Sequence, residues 1–321
     1  MSMIDQAFHF DSLVWDWIIA VYLFLAGVSA GAVMIAVYLK RNVIEGDVSK
    51  NGIIRATAII APLGIILGLL ILVFHLTKPW EFWKIMIYFN PSSVMSMGVV
   101  LFQVYMMVLF AWLAGIFLED IQRVFGGLLN KIPGANAALQ LTKRFDKGLE
   151  ITLAVLAFIL AAYTGFLLSA LKTYPLLNNP VLPILFLFSS LSSGAAACLL
   201  VGVLAFKESI KSPSVHWIHR FERPVVLFEL FVLFAFFSGL YFGGGQKEAA
   251  VIAAIGGGFW SNWFWIGVVG LGMVLPLAMN TVASAEVRHR TRYLAVVTTL
   301  SLLGVLMLRT FILYAGQMTT V

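Results

Sequence analysis

Asp16, Tyr22, His75, Tyr163 and Thr164 place an acid, an imidazole, two phenols and a hydroxyl near the ends of three long apolar runs. Ionisable groups inside such runs are costly in a bilayer and are functional candidates by default. A histidine, an acid and a tyrosine at one depth can bind the two oxygens of a quinone and accept the protons of its hydroxyls. Trp80, Glu81, Ser92, Ser93, Asn178 and Asn179 stand in the loops beside them. The plain alternative for Tyr22 and Tyr163 is an aromatic belt, since tyrosine is common at membrane interfaces. His75 is the only histidine at a membrane boundary on this side and fits a belt less well.

A second set lies on the sixth apolar run. Glu222 and Glu229 are seven residues apart and therefore share one helix face. With Glu229 about five residues inside the inner boundary and Glu150 as a neighbour, the set reads as a ladder carrying protons from the cytoplasm. For Glu222 the competing reading, an interfacial pair with Arg220 or Arg223, is the better one. Arg309 lies deep in the last run, nearer the outside and not level with Glu229. Two roles stand for it: stabilising a carboxylate or quinone oxygen, or snorkelling outward.

Other chemistries are excluded by counts. A membrane haem with two axial histidines needs both at matching depth within spans. His9, His216, His219 and His289 lie in tails or inner loops, so no haem is expected. The single cysteine, Cys198, rules out a disulfide framework, a Cys-ligated zinc site and an iron–sulfur cluster held by this chain alone. No other metal site is expected. The triple glycines at 243–245 and 256–258 lack the strand and helix context of a phosphate loop or dinucleotide fingerprint.

The elements that position these residues must be membrane spans. The chain is 61% apolar and 11% charged, against roughly 25% charge in a soluble domain. Its net charge of +6 is spread over short loops, which argues for a membrane topology and against nucleic acid. Runs long enough to cross a bilayer fall at about 15–39, 53–76, 94–117, 149–171, 181–205, 224–243, 262–284 and 294–315. Of the 21 Lys and Arg residues, sixteen fall in the loops after runs one, three, five and seven. The positive-inside rule then puts both termini outside, in the periplasm of a Gram-negative bacterium. The N-terminus has no basic stretch or small-residue cleavage site before the first run and is read as uncleaved.

The expected fold is thus an all-α integral membrane protein with eight transmembrane helices, forming one membrane domain over 1–321. In the connection 118–147, Ile121, Val124, Phe125, Leu128, Leu129 and Ile132 repeat at helical spacing. They predict a short amphipathic helix on the cytoplasmic surface. Ser29-Ala-Gly31 in the first run and Ser192-Ser-Gly194 in the fifth suggest either two four-helix halves or small-residue helix packing, and packing is favoured.

At this level of detail the chain resembles the NrfD/PsrC family. The resemblance rests on Val14-Trp-Asp-Trp17 with Tyr22 through Gly31, His75-Leu-Thr-Lys-Pro-Trp-Glu-Phe-Trp83, and Ser93-Val-Met-Ser-Met-Gly98. It continues through Tyr163-Thr-Gly-Phe-Leu-Leu-Ser169, Asn178-Asn-Pro-Val-Leu-Pro183, Ser192-Ser-Gly-Ala195 and Leu308-Arg-Thr-Phe-Ile-Leu-Tyr-Ala-Gly316, so it covers essentially the whole chain. Within the family it looks most like the membrane subunit of the formate-dependent cytochrome c nitrite reductase system. The resemblance implies an inner-membrane subunit without its own redox cofactor and with menaquinol as substrate near the periplasmic face. Tyr163 matches the family's quinone-contacting tyrosine, with Asp16 and Tyr22 contributing from the first helix. Some members carry an acid where this chain has His75, which keeps a titratable group there. Glu229 and Arg309 also match family positions. The implied partners are a periplasmic ferredoxin-like, NrfC-like subunit with four 4Fe–4S clusters and, beyond it, multihaem cytochromes c. Alternatives are the equivalent subunit of a polysulfide, thiosulfate or tetrathionate reductase, a secondary transporter, or a bare membrane anchor.

Overall fold

The computed structural model describes residues 7–129, 134–288 and 290–320. Lys131, Ile132 and His289 lie outside the described residues. Among the described residues, eight helices are long and apolar enough to cross a membrane: α1 Trp17–Asn42, α2 Gly52–Phe74, α3 Val94–Ile116, α4 Asp146–Ser169, α5 Leu182–Leu204, α6 Pro213–Tyr241, α7 Phe259–Val282 and α8 Thr291–Gln317. Side-chain caps start several of them. Asp16, Asn51 and Ser93 accept backbone N–H groups at the starts of α1, α2 and α3.

One expectation from the apolar pattern is corrected. The sixth span begins at Pro213, not near 224. Ser212 caps it, Pro213 occupies the first turn where no backbone donor is needed, and Val215 and Ile218 are buried. The helix continues through Pro224, so Glu229 stands near its middle and not five residues from its inner end. The 118–147 connection carries the expected short amphipathic helix at Leu118–Leu129, followed by a second helix, Ala135–Arg144. Gly134 precedes the second in a left-handed conformation at φ 83°, which suits glycine. Val124 and Phe125 are exposed there.

α7 departs from what its apolar pattern predicts, because Trp263–Val274 is wound as a π-helix. The widened turn coincides with Gly267, Gly270 and Gly272, and ordinary α-helix resumes at Leu275.

α1 and α5 are the most enclosed spans. α1 packs on α2, α4, α5 and α8, while α5 packs on α1, α2, α4, α6 and α8. Their crossing has no room for side chains. A Cβ on Gly31 would lie 1.8 Å from the Ser190 carbonyl oxygen, and one on Gly194 would lie 2.2 Å from Gly31. Gly272 and Gly304 bring α7 and α8 together in the same way. Small residues let helix backbones approach where apolar burial gives no drive between lipid-solvated helices.

Both chain ends meet at one end of the structure. The Gln317 side chain accepts from the N–H groups of Val14 and Trp15, each at 2.9 Å, and donates to the Trp15 carbonyl at 2.8 Å. The Ser12 hydroxyl donates to the Gln317 carbonyl at 2.6 Å, and the Tyr174 hydroxyl to the Ser12 carbonyl at 2.8 Å. Burial pushes the Tyr174 phenol above its ordinary range, so it stays a donor. At the opposite end Lys40 of α1 pairs with Asp146, at 2.6 Å, and with Glu150, both on α4.

Gly194→Ala should lower the stability of the detergent-solubilised protein by about 1–3 kcal/mol or more, because the new methyl meets backbone. Gly239→Ala, where a methyl meets nothing within 4 Å, should be neutral or slightly stabilising through helix propensity. Thermal unfolding of the two variants beside the parent protein measures both.

Candidate functional site

The residues singled out by chemistry fall into an outer pair, a phenol layer and a buried cationic centre. At the end carrying the chain termini, Asp16 precedes α1 and His75 follows α2. The Asp16 carboxylate accepts from the Ile18 N–H at 3.0 Å and lies 4.0 Å from His75 Nε2. Both side chains are about one-third exposed, at 34% and 36%, so the pair can exchange protons with its surroundings. A cavity of about 600 Å³ opens beside Asp16, walled by the N-terminal segment and Tyr314 of α8.

Tyr22 and Tyr163 do not share the depth of that pair. Asp16 caps its helix and Tyr22 lies six residues further along, roughly 9 Å inward. The Tyr22 ring is 5.9 Å from Phe102 of α3, and Phe102 meets Tyr163 of α4 edge-on at 6.1 Å. The Tyr163 hydroxyl donates to the Val94 carbonyl in the first turn of α3 at 3.1 Å. That carbonyl also accepts within its own helix, so Tyr163 can exchange this bond for one to a ligand oxygen. The ring lies directly over Gly98, where any Cβ would sit 1.8 Å from the Tyr163 oxygen.

Thr164, one residue on, points elsewhere. It is fully buried, donates to the Ala161 carbonyl and lies 3.5 Å from Arg309 Nη1. It belongs to the arginine's surroundings and not to the phenol layer, because successive helix residues face different directions.

Arg309 is itself fully buried and does not snorkel outward. Its Nη2 donates to Ser189 Oγ at 2.7 Å, to the Phe186 carbonyl at 3.0 Å and to Ser190 Oγ at 3.1 Å. The guanidinium also stacks 3.6 Å above the centre of the Phe186 ring, a cation–π contact. A Cβ on Gly27 of α1 would crowd Ser190 Oγ at 2.8 Å and Arg309 Nη2 at 3.1 Å. Glu229 is likewise buried and close enough to feel the arginine's charge, yet no carboxylate reaches the guanidinium within 4.0 Å among the described residues. Glu229 Oε1 and Arg309 Nε make no hydrogen bond to the described protein atoms.

Glu222 and Glu229 both stand buried on the one continuous helix α6. Glu222 faces its own-helix neighbour His219 at 3.7 Å, not Arg220 or Arg223. Glu150 is engaged by Lys40 at the far end of α4. Among the described residues no group of three or more His, Cys, Asp or Glu side chains could hold a metal ion.

A family profile described as "Polysulphide reductase, NrfD" matches residues 5–321. The chain is 51% identical to Protein NrfD of Escherichia coli K12 over 98% of both proteins. It is 45% identical to a Protein NrfD homolog of Haemophilus influenzae over 97% of both, and 43% identical to the C subunit of polysulfide reductase from Wolinella succinogenes over 96% of both. The chain belongs to the NrfD family. It is a multi-pass membrane protein with eight candidate spans among the described residues.

In this NrfD-family chain several neighbours escaped sequence reasoning. Gly98 and Phe102 shape the seat of Tyr163, and Ser189, Ser190 and Phe186 cage Arg309. The one available signal was the run Ser189-Ser190 inside an otherwise apolar segment, in a chain that carries an intramembrane arginine. Gly98 carried none, because its partner is sixty-five residues away.

Ser189→Ala removes the shortest bond to a buried cation and should destabilise the protein by about 1.5–3 kcal/mol. Ser192→Ala, on the same helix but outside the cage, should cost less. Equal losses in a denaturation series would show that the arginine does not depend on this hydroxyl.

Proposed function

We propose that this chain is the quinol-oxidising membrane subunit of a respiratory reductase complex in the bacterial inner membrane. The observation that carries it is that Tyr22 of α1 and Tyr163 of α4 flank Phe102 of α3, with Tyr163 seated on Gly98, while the Asp16–His75 pair stands roughly 9 Å further toward that end of the protein. The residues suit a quinol. Tyr22 and Phe102 supply flat apolar contact, Tyr163 supplies an exchangeable hydroxyl, and the His75–Asp16 pair supplies a proton acceptor open to the outside. The quinol brings the redox chemistry, and the protein binds, orients and deprotonates it.

Oxidation releases two electrons and two protons. In this reading Tyr163 holds one quinol oxygen and relays its proton, and His75, oriented by Asp16, takes protons outward. The electrons pass to an iron–sulfur partner docked on the periplasmic loops and then to multihaem cytochromes c. The sixteen basic residues of the opposite loops support a periplasmic placement for both termini and for the site. Similarity to NrfD proteins favours nitrite as the final acceptor. The name of the Wolinella relative, a polysulfide reductase, keeps a sulfur-compound acceptor as the alternative. For the buried Glu229 and Arg309, a role in proton movement rests on their burial within the spans and on the unpartnered Glu229 Oε1 and Arg309 Nε among the described residues.

Tyr163→Phe should slow menaquinol oxidation by inner-membrane vesicles holding the partner subunits about 100-fold or more, a usual size for a lost proton-transfer group. The amount of the chain in the membrane should stay unchanged. Gly98→Ala should have a similar effect by displacing the phenol. A normal rate in Tyr163→Phe would refute the site assignment.

A further inference from the structure

At the opposite end from the phenol layer, a cavity of about 530 Å³ opens between the ends of α5, α6, α7 and α8. Arg220 and Arg223 reach it from the early turns of α6, and Arg288 from the short helix Ala285–Arg288 that joins α7 to α8. None of these three arginines forms an ion pair among the described residues. His216 and His219 lie on the same wall, and His219 Nε2 has no hydrogen-bond partner among the described residues. The single lining carboxylate, Glu222, is buried and faces His219. With neutral histidines the lining therefore carries a net charge of +2, three arginines against one carboxylate.

The cavity is not purely polar. Val226 of α6 and Pro276 and Leu277 of α7 form an apolar wall, and Ser301 of α8 lies ten residues into its helix. That is roughly 15 Å along the helix axis, so the cavity runs from the interfacial level well into the hydrocarbon zone. Leu227 and Phe228 beside it are exposed.

We propose that this cavity binds the phosphate of an anionic phospholipid of the inner leaflet, with the start of an acyl chain along Val226 and Leu277. Guanidinium groups grip phosphate oxygens through paired N–H donors. Basic pockets between helices on the cytoplasmic side are suited to anionic headgroups. The positive-inside rule explains why these loops are basic. It does not explain why three unpaired arginines converge on one cavity with an apolar wall beneath them. A free phosphate ion shares the charge chemistry but has no use for that wall.

The test uses the full-length chain purified in a mild nonionic detergent. Native mass spectrometry should find phosphatidylglycerol or cardiolipin retained in preference to neutral lipid. Added phosphatidylglycerol should raise the thermal midpoint, while phosphatidylcholine and inorganic phosphate should not. Arg223→Gln with Arg288→Gln should weaken the phosphatidylglycerol response on the order of tenfold per arginine lost. Arg123→Gln, in the 118–147 connector, should leave it unchanged, as should Tyr163→Phe at the other end. Equal effects of the two lipids, or a double variant that responds like the parent, would overturn the proposal. Inorganic phosphate as effective as phosphatidylglycerol would overturn the lipid and identify a soluble phosphate ligand. If the double variant does not fold, the parent protein decides alone: no preference for anionic lipid in its mass spectrum refutes the site.

Discussion

A fully buried guanidinium in a lipid-solvated bundle constrains everything around it. Neither water nor lipid can solvate Arg309, so its charge must be met by protein oxygens and by an aromatic face. Phe186, Ser189 and Ser190 of α5 and Thr164 of α4 do this. Meeting that demand sets the facing sides of α4, α5 and α8, and Gly27 keeps α1 from intruding. Glu229 of α6 is likewise buried nearby, with its Oε1 making no hydrogen bond to the described protein atoms. Five of the eight spans are therefore tied to one cation.

The second constraint is steric. Helices in lipid gain little from apolar burial against one another, so close backbone approach supplies much of the cohesion. Gly31 with Gly194 and Gly272 with Gly304 permit that approach at two crossings. The α1–α5 crossing lies next to the arginine cage, since Ser190 contributes both a hydroxyl to Arg309 and a carbonyl to the crossing. Electrostatic and packing requirements thus meet at one residue. The middle of the protein is closely packed as a result, and the groups that can exchange protons or ligands lie at its two ends. The third-exposed Asp16–His75 pair is at one, the arginine-lined cavity at the other.

Much of this was legible in the residues. Eight spans follow from apolar runs of bilayer length, and the structure moves most of their ends by only a few residues. The exception is α6, where hydropathy ends at the Arg220–Arg223 segment but the helix persists as long as its buried face and Ser212 cap support it. Tyr163 stands out in the sequence, whereas its seat on Gly98 does not, because that contact joins two helices distant in sequence. The connector's helical spacing is realised as Leu118–Leu129, and the backbone turns left-handed at Gly134 before a second helix that the apolar pattern did not announce.

The sequence by itself determined that the chain carries eight segments long and apolar enough to cross a membrane and that it has a single cysteine. It also determined which few polar groups lie within the spans. Those properties depend on composition and on local periodicity, which each segment carries alone. Only the tertiary structure decided which groups meet. Asp16 joins His75, Thr164 leaves Tyr163 for Arg309, Glu150 goes to Lys40 and Glu222 to His219. Such pairings depend on helix rotation and crossing, and those follow from the glycine contacts and the buried cation acting together across distant parts of the chain.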